Sequence, residues 1–362
     1  MTDFVTTEVH GGVGYLTLTR PQALNALSLD MIRAITRTLE AWAAASEVVA
    51  VVVAGAGGKA FCAGGDIRFF HKAALEGDPL LDQFFAEEYA LNFLIHRYAK
   101  PYIALMDGVV MGGGMGISQG ARLRIVTDRT KMAMPETNIG LFPDVGGGWF
   151  LSRTPGRLGE YLGLTGAAID AADARFAGLA DAYLPCNALA ELVASLRVQP
   201  FDNGEAVLAH IGQFTARHAD DCAPAQSQLA ALSGEIDRLF AGGTVQDILA
   251  AVSDEAGDWA ARTAAMLRSR SPLMLQVTLE QIRRARSMSL EDELRMELVM
   301  MHHVFRQGDG VEGIRALAID KDHKPRWQQA RPDEVSREKL QSFFDSPWRP
   351  EDHPLANLGA SA

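Results

Sequence analysis

Positive charge is scarce in this 362-residue chain. It has 34 Lys and Arg against 45 Asp and Glu, for a formal charge of −11 and a pI near 5.3. A nucleic-acid partner is thereby excluded, because a phosphate backbone needs a basic face. The same deficit means that the field of the whole protein does not attract a polyanionic ligand, which must instead meet a local cationic patch. Cysteine is rare too: the three present show no metal spacing and no disulfide framework, which fits a reducing compartment. No apolar run is long enough to span a bilayer, and mean hydropathy is +0.01, so no membrane partner is expected. The first residues, Met1 to Glu8, are polar and partly acidic, unlike a secretory signal or an Arg-rich transit peptide. A cytoplasmic location is expected on these grounds. Internal repeats are absent. No metal is expected: the adjacent His302 and His303 cannot turn both rings to one side of a helix, which puts them at the surface. The run Gly112-Gly113-Gly114-Met115-Gly116 fails the final spacing of a dinucleotide fingerprint.

What the chain does have is a hydrophobic share of 48%, ample for a packed core. Its length suits one large domain with a smaller appendage. The first half alternates apolar runs with helical patterns, as a parallel α/β core does. Tyr15 to Thr19 alternates like a strand, and Val48 to Ala54 is a β-branched run that reads as a buried parallel strand. Ser28 is positioned to cap a helix with Ile32, Ile35 and Leu39 on one stripe. After about residue 200 the strand-like runs fade. Leu229, Leu232, Ile236 and Leu239 recur at helical spacing, and further helices are expected over 258–268, 272–286 and 291–306. Pro272 suits a helix start, and Gly242-Gly243 marks a helix break. The expected division is a core over 1–195, a helical region over 196–345 and a frayed tail over 346–362.

The segment Pro135 to Gly148 is the richest in chemistry. It sets Glu136 and Asp144 among Ile139, Leu141, Phe142 and Val145. Desolvation there raises a carboxyl's pKa and readies it for proton transfer or nucleophilic attack. The two acids are eight positions apart across Gly140 and Pro143, a turn that can fold both toward one point. Two glycine loops precede them. Lys59 to Ile67 follows the β-branched run, and Gly108 to Gly116 follows the apolar run Pro101 to Met106. A strand that enters a small-residue loop and then a helix leaves N–H groups free to meet a developing negative charge. One amide from each loop makes an oxyanion hole, beside which the carboxylate pair could lie. Cys62, within the first loop, reads as a small buried hydrophobe.

Val13 to Leu27, with its Arg-Pro and Leu-Asn-Ala-Leu elements, these loops, and Gly313 to Trp327 together resemble the crotonase (enoyl-CoA hydratase/isomerase) superfamily over nearly the whole chain. The Pro-Glu-Thr and Phe-Pro-Asp elements and the Gly-Ile-Arg-Ala…Ile-Asp-Lys-Asp stretch are similar to its 3-hydroxyisobutyryl-CoA hydrolase branch. The resemblance implies an α/β spiral of ββα units followed by a helical C-terminal region. It also implies hydrolysis of a short 3-hydroxyacyl-CoA thioester, a step of valine breakdown. No cofactor is implied, because coenzyme A belongs to the substrate. A homo-oligomer is left open. Carried over by motif, the oxyanion donors are the N–H groups of Gly65 and Gly113. Hydratases carry a Glu where this chain has Gly116 and a second one at Glu136; Asp144 is added, which is the hydrolase pattern. Glu136 is then the nucleophile or the base that activates water, and both mechanisms fit. Asp144 orients the substrate hydroxyl or the water. Glu88 matches a substrate-binding acid of the branch.

Lys59 is a candidate for the coenzyme A phosphates, as are Arg283, Arg284 and Arg286 on the expected helix. Two other readings compete. Glu136 alone could shuttle a proton between carbons, as in an isomerase, or serve a hydratase. Separately, Gly116-Ile117-Ser118-Gln119-Gly120 matches the nucleophile elbow of serine hydrolases, with His210 and His218 downstream.

Overall fold

The structure is a computed structural model in which residues 4–360 are described. The chain groups into two compact units, each built from three segments. The first comprises Met1–Gly65, Leu91–Ala133 and Ile169–Ala231; the second comprises Asp66–Ala90, Met134–Ala168 and Leu232–Ala362.

The first unit holds the strands. β1 (Val5–His10) and β2 (Val13–Leu18) form an antiparallel hairpin, and β2 is followed in parallel by β3 (Ala50–Gly55). After β3 the chain repeats a pattern. A short strand β4 (Ala60–Cys62) precedes β5 (Tyr102–Met106); β6 (Val109–Met111) precedes β7 (Leu123–Val126); β8 (Lys131–Ala133) precedes β9 (Ala182–Tyr183). The long strands join one sheet in the order β1-β2-β3-β5-β7-β9, and the short ones join a second in the order β4-β6-β8. Each turn of chain thus adds one parallel strand to each sheet before a helical segment, the ββα spiral that the resemblance implies. Both faces of β2, β3 and β5 are buried. Val13, Tyr15, Ala50, Val52, Ile103 and Leu105 lie in one cluster, and Leu16, Leu18, Val51, Val53, Ala104 and Met106 are equally buried. Double burial explains why these strands read as unbroken apolar runs, and why β2 lacks the alternation expected of Tyr15 to Thr19.

Helices Leu189–Val198 and Gly204–Ala216 put Leu192, Leu196, Val207 and Ile211 into that same cluster, with Phe201 between them. Residues 196–231 therefore belong with the sheet, and the division by compactness differs from a linear boundary at residue 195. The helix Leu29–Ala44 starts where the sequence places it: Ser28 Oγ accepts the Met31 N–H, and Ile32, Ile35 and Leu39 are buried.

The second unit is mainly helical. Ser271 caps the helix Pro272–Ala285, with Pro272 in its first turn, and Ser289 caps Leu290–Gln307. Thr244 and Asp247 form a capping box just after Gly242-Gly243. Within the expected tail, residues 346–360 make specific contacts. The Arg295 guanidinium donates to the carbonyls of Leu355 and Leu358 (3.0 and 2.6 Å), Trp348 packs edge-on against His302 and His353, and Leu355 is buried. Residues 361 and 362, the end of the expected tail, lie outside the described residues. Among the described residues no helix is long and apolar enough to cross a membrane.

Candidate active site

In the first unit, Gly64 and Gly65 follow β4, and Gly113 opens the helix Gly113–Gln119 just after β6. The Gly64 carbonyl accepts the Leu27 N–H at 2.8 Å, which ties the first loop to the Leu-Asn-Ala-Leu segment. Asn25 fixes that segment in turn by donating to the carbonyls of Ala56 and Ala60. The two glycine loops are neighbours: a Cβ built on Gly64 would lie 3.4 Å from the Met111 oxygen and 3.7 Å from the Gly113 nitrogen. Gly114 is obligatory, because a side chain there would overlap the Cys62 carbonyl. The N–H groups of Gly65 and Gly113 meet no acceptor among the described residues, the second because it lies in the first turn of a helix.

The carboxyls sit in the second unit. Glu136 opens a short 3-10 helix, Glu136–Ile139, that is fixed from several sides. Arg270 donates to Asn138 Oδ1 (2.7 Å), Thr137 Oγ1 donates to the Leu164 carbonyl (3.1 Å), and the Ser271 N–H donates to the Thr137 carbonyl (3.2 Å). Gly313, from the C-terminal signature, rests directly on the Ile139 carbonyl. Arg315 of that signature binds Glu312, Asp320 and Asp322, which holds the following loop together. Glu136 Oε2 and Glu88 Oε1 are buried and have no hydrogen-bond partner among the described residues. Asp144 Oδ2 accepts the Tyr89 hydroxyl at 2.9 Å.

The peptide that follows Asp144 is unusual. Val145 (φ +58°) and Gly146 (φ +85°) are both left-handed, which a β-branched residue rarely adopts. The Gly146 and Gly148 N–H groups donate to Glu297, at 2.8 and 3.3 Å. Gln281 Nε2 donates to the Pro143 carbonyl (2.7 Å) and to Glu297 Oε1 (2.9 Å). Gln281 Nε2 also reaches Glu293 Oε1 (3.5 Å), one turn earlier than Glu297 on the same helix. Glu88, Glu136, Asp144, Glu293 and Glu297 are each at most 6% exposed.

Five buried carboxyls titrate abnormally for a common reason. Burial pushes Glu136 well above the usual carboxylate range, and the negative charges of Asp144 and Glu88 add to it. Burial and the charge of Asp144 do the same to Glu88. Asp144 is raised to about 7 by burial, against the lowering effect of the Tyr89 hydrogen bond. Burial raises Glu293, and burial with the Glu293 charge raises Glu297 strongly. Like charges in one desolvated cluster cannot all ionise, so the acids share protons.

Other candidates lie elsewhere. Ser118 is buried inside the helix Gly113–Gln119 and donates to the Gly114 carbonyl at 2.8 Å. His210 pairs with Ser195 and His218 with Asp221, so no triad forms and the nucleophile-elbow reading is withdrawn. Arg283 donates to the Gly242 and Gly243 carbonyls, Arg284 pairs with Glu280, and Arg286 pairs with buried Glu160; none forms the expected phosphate cluster. Lys59 is exposed just before β4. Cys62 is buried, as expected. Tyr89, Gln281, Glu293 and Glu297 escaped sequence reading. The one available signal was the pair of acids four residues apart on a helix stripe shared with Leu290, Leu294 and Met301.

Residues 13–344 match the family model described as enoyl-CoA hydratase/isomerase. Among curated relatives, a Xenopus laevis protein named 3-hydroxyisobutyryl-CoA hydrolase, mitochondrial, is 40% identical over 93% of this chain and 87% of its own length. The Homo sapiens protein of the same name is 37% identical over 94% and 88%. Among solved structures, one described as a carnitinyl-CoA dehydratase from Mycobacterium thermoresistibile superposes with a TM-score of 0.89 at 39% identity, covering 99% of this chain and all of that one. Another, described as an enoyl-CoA hydratase from Rhodobacter sphaeroides 2.4.1, gives 0.85 at 38% identity over 95% and 98%. The mitochondrial names of the relatives overturn the cytoplasmic location expected from the N-terminal residues. Fold, loops and whole-length likeness agree: the chain belongs to the enoyl-CoA hydratase/isomerase family.

Proposed function

We propose that this protein hydrolyses the thioester of a short 3-hydroxyacyl-coenzyme A, 3-hydroxyisobutyryl-CoA foremost, giving the free hydroxy acid and coenzyme A. One observation carries the reading: a second buried carboxyl, Asp144, is held by Tyr89 within the field of Glu136, while Gly116 stands where hydratases of the family carry an acid. The names of the curated relatives support the same substrate.

The chemistry follows from the groups. The Gly65 and Gly113 N–H groups take the charge that develops on the thioester oxygen. Glu136, with one oxygen unpartnered, attacks the carbonyl carbon as a carboxylate, and the C–S bond breaks. Asp144, which holds a proton near neutrality, gives it to the departing thiolate. Water then attacks the acyl anhydride, Asp144 takes its proton, and Glu136 leaves as a carboxylate. Glu88 binds the substrate's hydroxyl, and Lys59 meets a coenzyme A phosphate. No cofactor enters this scheme, so full activity is expected after exhaustive dialysis against EDTA.

Hydration is the second reading, because the two solved structures are described as a dehydratase and a hydratase. Free thiol separates the two, since hydration releases none. Hydroxylamine capture during turnover, followed by peptide mass spectrometry, should find the modification on Glu136 and not on Asp144. An unmodified Glu136 peptide would replace covalent attack with water activated by a general base.

A further inference from the structure

We propose that Glu297, braced by Gln281, is the positioning residue that aims Asp144 by holding a strained turn in place. The inference rests on the role given to Asp144 above. A β-branched residue in the left-handed region persists only where its surroundings over-determine it. Val145 is such a residue, and it follows Asp144 directly. Because Val145 and Gly146 are left-handed in succession, the Gly146 and Gly148 N–H groups converge on one point, a cradle for an anion. The anion in that cradle is the Glu297 carboxyl. Gln281 closes the turn from its other end through the Pro143 carbonyl. Asp144 is thus gripped at both flanks of its backbone, and its side chain is gripped by Tyr89.

The groups that face Glu297 are few. Glu293 comes from its own helix, Gln281 from the helix Pro272–Ala285, and the two amides from the turn; Asp144 acts on it through charge. Arg153 is a cation that acts on the pair, through Glu293. A core built only for stability would fill this space with apolar side chains, since a buried acid pair costs more than it returns. An acid here makes sense as the acceptor that the turn's amides require. Gly148 fits the same logic: a side chain there would collide with Glu293 and Gln281.

The test uses Glu297→Ala, Glu297→Gln and Gln281→Leu in the full chain. Thiol release from 3-hydroxyisobutyryl-CoA gives kcat and KM separately, and hydrogen exchange reports on the Gly146 and Gly148 amides. Glu297→Ala is expected to lose protection at both amides and to lower kcat about 10²-fold with KM little changed, the scale of a misaimed reacting group. Glu297→Gln, which keeps one acceptor, should restore part of both. A folded Glu297→Ala protein with wild-type kcat, or with protection retained, overturns the proposal. If Glu297→Ala does not fold, wild-type kcat in both Glu297→Gln and Gln281→Leu overturns it equally. If the wild-type protein releases no thiol, the hydrolase reading fails by itself, and retained protection in Glu297→Ala would still refute the clamp.

Discussion

Glu136 and Asp144 were legible as residues because carboxyls are out of place in an apolar loop. Their partners were not. Tyr89 follows Phe84 and Phe85 on a helix, where an aromatic residue signals core, and only the fold reveals its bond to Asp144. Glu136→Gln should lower kcat by at least the ~10²–10⁴-fold of a general acid–base group, with the melting temperature preserved. A loss of only a few-fold would remove Glu136 from the reaction. Tyr89→Phe deletes a hydrogen bond to a charged group, which is worth about 1.5–3 kcal/mol, or roughly 10–150-fold in kcat/KM. That bond lowers the pKa of Asp144, so its loss should move Asp144's titration upward; an unmoved pH–rate profile would show that Tyr89 does not govern Asp144. Glu136 must be ionised to attack, and burial raises its pKa. Activity should therefore fall on acidification at a pH well above the ordinary carboxylate range.

The strands were readable as apolar runs, and the cap at Ser28 and the helix start at Pro272 fell where expected. The role of the C-terminal signature was not readable, because it depends on contact between segments far apart in the chain. In the fold, Gly313 lies against the carbonyl of Ile139, at the end of the 3-10 helix that bears Glu136. Gly313→Ala should push that helix aside. Overpacking of this kind costs about 1–3 kcal/mol, so a lower melting temperature is expected together with reduced kcat. Unchanged kcat in the face of a lower melting temperature would confine Gly313 to stability. The arginines at 283, 284 and 286 looked like a phosphate site because the sequence does not show which carbonyls and acids consume them.

At the scale of the molecule, the five buried acids described above, joined by Asp309, bias stability against rising pH. Each binds its proton more tightly folded than unfolded, so the folded chain holds more protons and loses stability as pH rises. For Asp144 the loss runs from its ordinary value of 3.8 up to about 7. The melting temperature should therefore fall from about pH 4 to about pH 7, and less steeply in Asp144→Asn; parallel curves over that window would contradict the raised titration. The ββα spiral was legible through resemblance, whereas the division into units was not. Residues 66–90 and 134–168 join the C-terminal helices through tertiary contacts that no composition shift announces. Thiol release from 3-hydroxyisobutyryl-CoA and hydration of crotonyl-CoA, measured on the same purified protein, separate hydrolase from hydratase most directly. Thiol release far faster than hydration, and abolished by Glu136→Gln, is the predicted result. Rapid hydration with no 3-hydroxyacyl-CoA releasing thiol would contradict it.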